Sequence, residues 1–243
     1  MTLSGVLWDM DGTLVDTEPY WIESEFEVVE RFGNAAWSEA HAHALVGMDL
    51  RDAARYMQAH GAVTLSVAET IDVLLDGVVA RVQRRIPWRP GARELLAELR
   101  ERAIPCALVT MSWRRFVDAI LPSLPAGSFG AVVTGDDVRR GKPHPEPYLA
   151  GAEGLGIAAS DCLALEDSPT GARSARAAGC VVLAVPNVVQ VPADDAHHHL
   201  TTLTGVGVDE LERIYRLHRS RGADRPGTLL TRPTFSRHSG PRG

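Results

Sequence analysis

Residues 3–16 of the chain read LSGVLWDMDGTLVD, a short apolar run followed at once by two aspartates and a glycine. An apolar run of this length, bounded by a turn, is typical of a buried β-strand that ends in a loop. Two carboxylates two residues apart on such a loop, Asp9 and Asp11, can converge on one site. One could attack a substrate while the other moves protons, and carboxylate oxygens suit Mg²⁺. An Asp–Gly turn beside a helix cap explains an isolated pair equally well, so the rest of the chain must decide.

Four further apolar runs follow the same plan, each ending in polar residues: 104–110, 130–135, 162–167 and 180–187. Helical periods separate them, at 91–102, 113–121, 146–155 and 169–178. Strands that alternate with helices predict a Rossmann-like α/β fold with a parallel sheet. Ligands of such sheets bind at the carboxyl ends of the strands.

Residues 18–88 break this alternation, because they offer only helical periods, at 20–32, 50–60 and 67–85. We therefore predict an α-helical cap domain at 18–88, inserted into a core domain of residues 1–17 and 89–218. Residues 219–243 carry six arginines among Gly, Pro, Ser and Thr. Few of these residues can build a core, so we expect a basic, disordered tail.

Polar residues able to handle phosphate follow three of the later strands. Thr110 and Ser112 come after the second strand, Lys142 after the third, and Glu166 and Asp167 end the fourth. Each is unremarkable alone, since a lone lysine is usually solvated and acidic residues commonly cap helices. Four such segments, in order and each at a strand end, favour a single phosphoryl-transfer site.

This set of motifs resembles the haloacid dehalogenase superfamily, in the branch with a helical cap that includes beta-phosphoglucomutases and sugar-phosphate phosphatases. The resemblance spans roughly residues 3–211. It implies that Asp9 is the phosphate-accepting nucleophile and Asp11 the general acid/base. It also implies Mg²⁺ as cofactor, bound by Asp9, Asp167 and the Asp11 backbone carbonyl, with Glu166 binding directly or through water.

The same resemblance assigns the phosphate contacts. Thr110 would hydrogen-bond the transferring phosphoryl group, and the backbone N–H of Met111 would bind phosphate. Met111 stands where relatives often carry Asn or another small residue. Lys142, in the Gly-Lys-Pro-His-Pro segment, would pair with the phosphate and with Asp9.

Weaker candidates for substrate contact lie in the predicted cap: Glu18, Gly47 and Arg51. The three consecutive histidines at 197–199 do not share one face of a helix or strand, so we expect a surface loop there rather than a metal site.

Composition limits the remaining possibilities. The net charge of −6 disfavours nucleic acid as the main partner, and three isolated cysteines suggest neither a disulfide framework nor a zinc site. No apolar run reaches the length of a membrane span. We expect a cytoplasmic monomer that acts on a small phosphate ester, without nucleic-acid or membrane partners.

The leading hypothesis is a magnesium-dependent phosphatase of a sugar or polyol phosphate. Two alternatives stay open: a beta-phosphoglucomutase-like phosphosugar mutase, and a non-catalytic sensor of a phosphorylated metabolite. The presence of Asp11 disfavours a dehalogenase, because the dehalogenases of this superfamily have the first aspartate but lack the second. The absence of lysine between residues 18 and 88 excludes a phosphonate-cleaving relative that forms a Schiff base from the cap.

Overall fold

The centre of the molecule is a six-stranded parallel sheet. The structure is a computed structural model that describes residues 2–45 and 48–223. The strands are β1 Gly5–Trp8, β2 Cys106–Val109, β3 Ala131–Val133, β4 Cys162–Glu166, β5 Val181–Ala184 and β6 His198–His199. Their order is β3-β2-β1-β4-β5-β6. The predicted α/β fold with a parallel sheet is confirmed, and the first five strands lie within the predicted apolar runs.

The helices are α1 Glu18–Phe32, α2 Glu39–Leu45, α3 Leu50–His60, α4 Val67–Arg84, α5 Ala92–Glu101, α6 Arg114–Ile120, α7 Glu146–Gly154, α8 Pro169–Ala177 and α9 Val208–Ala223. Two short 3₁₀ helices lie at Leu121–Ser123 and Ala159–Asp161. The predicted helical periods correspond to α1 and to α3–α8.

Side chains cover both faces of the sheet, which is why β1, β2 and β5 are apolar throughout and β4 is apolar up to its last residue, Glu166. Successive residues of a strand point to opposite faces. Val6 and Trp8 therefore pack into the cluster that contains residues of α5, α6 and α9. Leu7 packs with Tyr148 of α7 and Ala172 of α8 on the other face.

The register of the sheet aligns the strand ends. Trp8, the last residue of β1, pairs with Leu108 of β2 on one side and with Leu165 of β4 on the other. The strand order changes direction at β1, which is where parallel sheets open a crevice for ligands. Residues just after β1, β2 and β4 therefore meet at one edge of the sheet.

The four helices between β1 and α5 have a hydrophobic cluster of their own, which includes Val28, Met57 and Leu74. The chain leaves and re-enters the sheet region side by side, because Val15 forms an antiparallel bridge with Trp88. On this packing we propose that residues 18–88 constitute an inserted cap domain.

Three local features differ from expectation. The histidines do not lie in a loop, because His198 and His199 form β6 beside β5, and the backbone N–H of Val182 donates to Nδ1 of His197 at 3.0 Å. The helices α2 and α9 were not predicted. Helix α9 continues to Ala223, so residues 219–223 of the expected tail are helical. The rest of that tail, residues 224–243, lies outside the described residues.

Among the helices of residues 2–45 and 48–223, none combines the length and the apolar content that a membrane crossing requires.

Candidate active site

The loop after β1 is a tight turn that depends on Gly12. The N–H of Gly12 donates to the carbonyl of Val15 at 2.7 Å, and Gly12 has a φ of 89°, which favours glycine. A Cβ atom at this position would lie 2.0 Å from Oδ2 of Asp167. Gly12 therefore allows both the turn and the close approach of Asp167 to the loop.

Asp9 is a buried carboxylate with one bound and one unbound oxygen. Its Oδ1 lies 2.7 Å from Nζ of Lys142. Its Oδ2 is inaccessible to solvent and has no hydrogen-bond partner among the described residues. Burial and the charge of Glu166 raise the pKa of Asp9 to about 7, while Lys142 acts in the opposite direction. Asp9 thus has an oxygen available for a ligand.

Asp11 is held in place by three hydroxyl groups. Its Oδ1 accepts from Thr17 at 2.5 Å, and its Oδ2 accepts from Ser112 at 2.7 Å and from Thr110 at 3.1 Å. Burial raises the pKa of Asp11, and these hydrogen bonds oppose the effect. Here the Thr110 hydroxyl donates to Asp11, whereas the expectation was a bond to the phosphoryl group. Thr17 was missed, since a threonine before a helix looks like an ordinary cap residue.

Lys142 joins two of the acidic residues. Its Nζ is 2.7 Å from both Asp9 Oδ1 and Glu166 Oε1, and only 5% of its side chain is exposed. The ammonium group also lies 5.0 Å from the centre of the Tyr148 ring. The two carboxylates raise the pKa of Lys142 despite its burial, so the group stays positively charged. Met111 contacts the same segment, because its Sδ accepts from the Lys142 backbone N–H at 3.1 Å.

Glu166 is fully buried and its carboxylate is saturated with hydrogen bonds. Oε1 accepts from Lys142 and, at 2.8 Å, from the Tyr148 hydroxyl. Oε2 accepts from the backbone N–H of Asp167 and from both the N–H and the hydroxyl of Ser168, at 3.0–3.1 Å. Gly171 makes room for this carboxylate, since a Cβ there would lie 1.6 Å from Oε1. The sequence pattern did not indicate Tyr148 as a partner.

A group of carboxylates at this edge of the sheet suits a divalent cation. Oxygens of Asp9, Glu166 and Asp167 lie within 4.8 Å of one another. Burial, followed by the charges of Asp9 and Glu166, raises the pKa of Asp167 to about 9. Lys142 alone among the described residues offers a positive charge in direct contact with this group. The excess of hard oxygen ligands, including the unpartnered Oδ2 of Asp9, fits an ion such as Mg²⁺.

The weaker candidates have different surroundings. Glu18 is half-buried, and burial together with the charges of Asp11 and Asp16 raises its pKa to about 7. The Arg51 guanidinium lies 4.7 Å from the centre of the Trp113 ring, so α3 contacts the loop after β2. Gly47 lies outside the described residues.

The chain is similar to known proteins over most of its length. A family model described as haloacid dehalogenase-like hydrolase matches residues 6–185, which confirms the resemblance seen in the motifs. Hexitol phosphatase A of Escherichia coli (strain K12) is 36% identical over 207 residues, which cover 80% of this chain and 86% of that protein. The phosphorylated carbohydrates phosphatase of Thermotoga maritima is 31% identical over 73% of this chain and 82% of its own length.

Solved structures share the fold. CbbY from Rhodobacter sphaeroides, crystallised as a variant in complex with xylulose-(1,5)bisphosphate, superposes with a TM-score of 0.77 at 24% identity. The match covers 87% of this chain and 100% of that one.

Proposed function

Since the chain belongs to the haloacid dehalogenase-like hydrolases and is a phosphoric monoester hydrolase, we propose that it dephosphorylates a sugar or polyol phosphate. The observation that carries the proposal is the Asp9–Lys142–Glu166 chain, which fixes one Asp9 oxygen and leaves the other without a hydrogen-bond partner in the part of the chain that the structure describes. The named activities of the hexitol and carbohydrate phosphatases support the substrate class.

In the first half-reaction, an Asp9 carboxylate oxygen attacks the phosphorus and the bond to the ester oxygen breaks. Lys142 holds Asp9 in one orientation and offsets negative charge on the transferring group. Asp11 gives its proton to the departing ester oxygen, which leaves as an alcohol. The raised pKa of Asp11 favours the protonated form that this step needs.

In the second half-reaction, Asp11 accepts a proton from water while that water attacks the aspartyl-phosphate. The bond between Asp9 and phosphorus breaks, so inorganic phosphate leaves and Asp9 is regenerated. Thr17, Thr110 and Ser112 keep the Asp11 carboxylate in place through both transfers. One residue therefore serves as acid and then as base.

Asp9, Asp167 and the backbone carbonyl of Asp11 would hold Mg²⁺, as the clustered oxygens of the site suggest. Glu166 would contact the ion through water, because its own oxygens already accept hydrogen bonds from four groups besides Lys142. The ion, when bound, supplies positive charge that keeps Asp9 ionised and favours the phosphate.

The decisive test is phosphate release from sugar phosphates, polyol phosphates, nucleotides and p-nitrophenyl phosphate, by wild type and by Asp9→Asn. We expect release by wild type that the variant loses entirely while it remains folded by circular dichroism. Asp11→Asn should also be folded and nearly inactive. Phosphate release by Asp9→Asn at the wild-type rate would overturn the assignment of Asp9 as the nucleophile.

The same assay separates the alternatives. A mutase would convert one phosphosugar isomer into another and release little phosphate, which chromatography of the products detects. A sensor would bind phosphorylated metabolites without converting them.

A further inference from the structure

Glu25 of α1 is a buried carboxyl group that the proposed mechanism does not use. The residue is 5% exposed. Its Oε2 is inaccessible to solvent and has no hydrogen-bond partner among the described residues. Burying a carboxyl oxygen without a hydrogen-bond partner is costly, because that oxygen loses its hydrogen bonds to water. A ligand hydroxyl can supply the missing bond once the helices around Glu25 move apart far enough to admit it.

Glu25 shares a helix face with residues that adjoin the active site. Glu18, Trp21 and Glu25 follow one another at spacings of three and four, which places them on one side of α1. Trp21 packs edge-on against Phe116 of α6, with the ring centres 5.4 Å apart. This face of α1 therefore looks toward the core domain.

Glu25 is also linked to the active site by electrostatics. Helical side chains lean toward the N-terminus of their helix, which directs Glu25 toward Glu18. In agreement, burial and then the charge of Glu18 raise the pKa of Glu25 to about 8. Glu18 in turn responds to the charge of Asp11. The charge of each carboxyl group therefore acts on the next, from Asp11 through Glu18 to Glu25.

The position of Asp11 tells where the organic part of the substrate lies. In the proposed mechanism Asp11 protonates the leaving oxygen, so the carbon skeleton extends on its side of the site. Helix α1 begins directly after Thr17, which donates to Asp11. Glu25 lies seven positions after Glu18, which corresponds to about 10 Å of helix. Glu25 therefore lies on the side of the carbon skeleton but well beyond the ester oxygen.

We propose that Glu25 is a specificity-determining residue that binds a hydroxyl group of the substrate remote from the phosphate. The inference rests on the proposed function and deepens it, because it requires a substrate with a polyhydroxylated chain of several carbons. A neutral carboxyl both donates to and accepts from hydroxyl groups. It also avoids repelling the phosphate of the incoming ester.

The test compares wild type with Glu25→Gln, Glu25→Leu and the control Glu30→Gln, which alters an exposed position of the same helix. The substrates are a six-carbon polyol monophosphate, glycerol 3-phosphate and p-nitrophenyl phosphate. We expect Glu25→Leu to lower kcat/KM for the six-carbon ester roughly tenfold or more, as loss of a buried hydrogen bond predicts. The two smaller substrates should change less than about twofold, and Glu25→Gln should be intermediate.

Thermal unfolding supplies a second measurement. Removing a buried carboxyl whose Oε2 has no hydrogen-bond partner among the described residues should raise the Tm of Glu25→Leu, whereas loss of a structural residue would lower it. If the wild type is active and Glu25→Leu keeps the same preference for the six-carbon ester, the proposed role of Glu25 is wrong. An equal loss with all three substrates would overturn it too. A wild type that releases no phosphate from any ester would overturn the proposed function, and the inference with it.

Discussion

Lys142 is the only lysine in the chain, although the sequence contains many arginines. The site explains this choice. A compact ammonium group fits between Asp9 and Glu166 and over the Tyr148 ring, in a pocket that leaves it 5% exposed. A guanidinium group is planar and larger, and it binds carboxylates through a fixed fork. This position therefore requires a positive group of small size as well as a positive charge.

We predict that Lys142→Arg loses phosphatase activity by about a hundredfold or more, although the charge is kept, because the larger group displaces Asp9. Steady-state kinetics measures this loss, and circular dichroism checks the fold. Arg140→Lys, at an exposed position nearby, is the matched control and should be close to wild type. Near-normal kcat in Lys142→Arg would contradict the argument.

The raised pKa of Glu25 should make the stability of the protein depend on pH. Its pKa of about 8 in the folded protein exceeds the usual 4.5, so the folded state binds this proton more tightly than the unfolded state. Below about pH 4.5 both states are protonated; between about pH 4.5 and 8 ionisation favours the unfolded state. Wild-type stability therefore falls across this range through Glu25.

Glu25→Gln lacks this titration, although Glu18 still faces the same position in both proteins. The Tm of Glu25→Gln minus that of wild type should increase from pH 5 to pH 8, measured by scanning fluorimetry. Glu30→Gln serves as the control. A Tm difference that stays constant with pH, or decreases, would show that Glu25 is not protonated as the structure indicates.

At the scale of elements, Arg115 connects helix α6 with helix α4 of the proposed cap. Its guanidinium contacts Asp72 at 2.7 Å and also contacts Asp76. All three side chains are substantially exposed, so the pairs contribute little to the free energy of folding. We expect them instead to affect how easily α4 separates from α6. A cap that opens to admit substrate and then closes over it would change this separation.

We predict that Arg115→Ala changes Tm by no more than a few degrees but raises KM several-fold, with kcat nearly unchanged. The dependence of KM on salt concentration should also weaken, because salt screens the pairs that the variant lacks. Arg213→Ala, which breaks a pair within α9, is the control and should leave KM unchanged. Equal effects of the two variants would exclude a specific role for the α4–α6 contact.

At the scale of the whole molecule, an acidic protein must receive an anionic substrate. The chain carries a net charge of −6, and its site gathers four carboxylates around Lys142. Binding of the phosphate therefore requires a further cation at the site. Binding of that cation can be measured through its effect on the stability of the folded protein. An ion that binds only the folded state raises the stability of the protein by an amount that grows with the logarithm of its concentration above its Kd.

We predict that Mg²⁺ raises the Tm of the wild-type protein, and that EDTA reverses the rise and abolishes activity. Asp167→Asn should show a much smaller rise, whereas Asp194→Asn, at an exposed position, should behave like wild type. An equal response of Asp167→Asn, or activity that persists in EDTA, would contradict the proposed metal site.

Local sequence patterns alone predict the parallel α/β sheet and the segments that form the proposed site. Strands buried on both faces require uninterrupted apolar runs, and the residue after each run must lie at the carboxyl edge. Asp9, Thr110 and Glu166 could therefore be assigned to one edge without coordinates. The two-residue strand β6 and the seven-residue helix α2 could not, because so few residues carry no readable period.

Which of these groups are in contact depends instead on how the elements pack. Asp11 bonds to Ser112 across 101 positions of sequence, and Lys142 bonds to Asp9 across 133. Such pairs depend on strand register and on the room left by Gly12 and Gly171, which no local pattern records. The burial of Glu25 is likewise a property of the assembled helices. Local periodicity encodes which face of an element is apolar, whereas partners distant in sequence are fixed only when the elements pack.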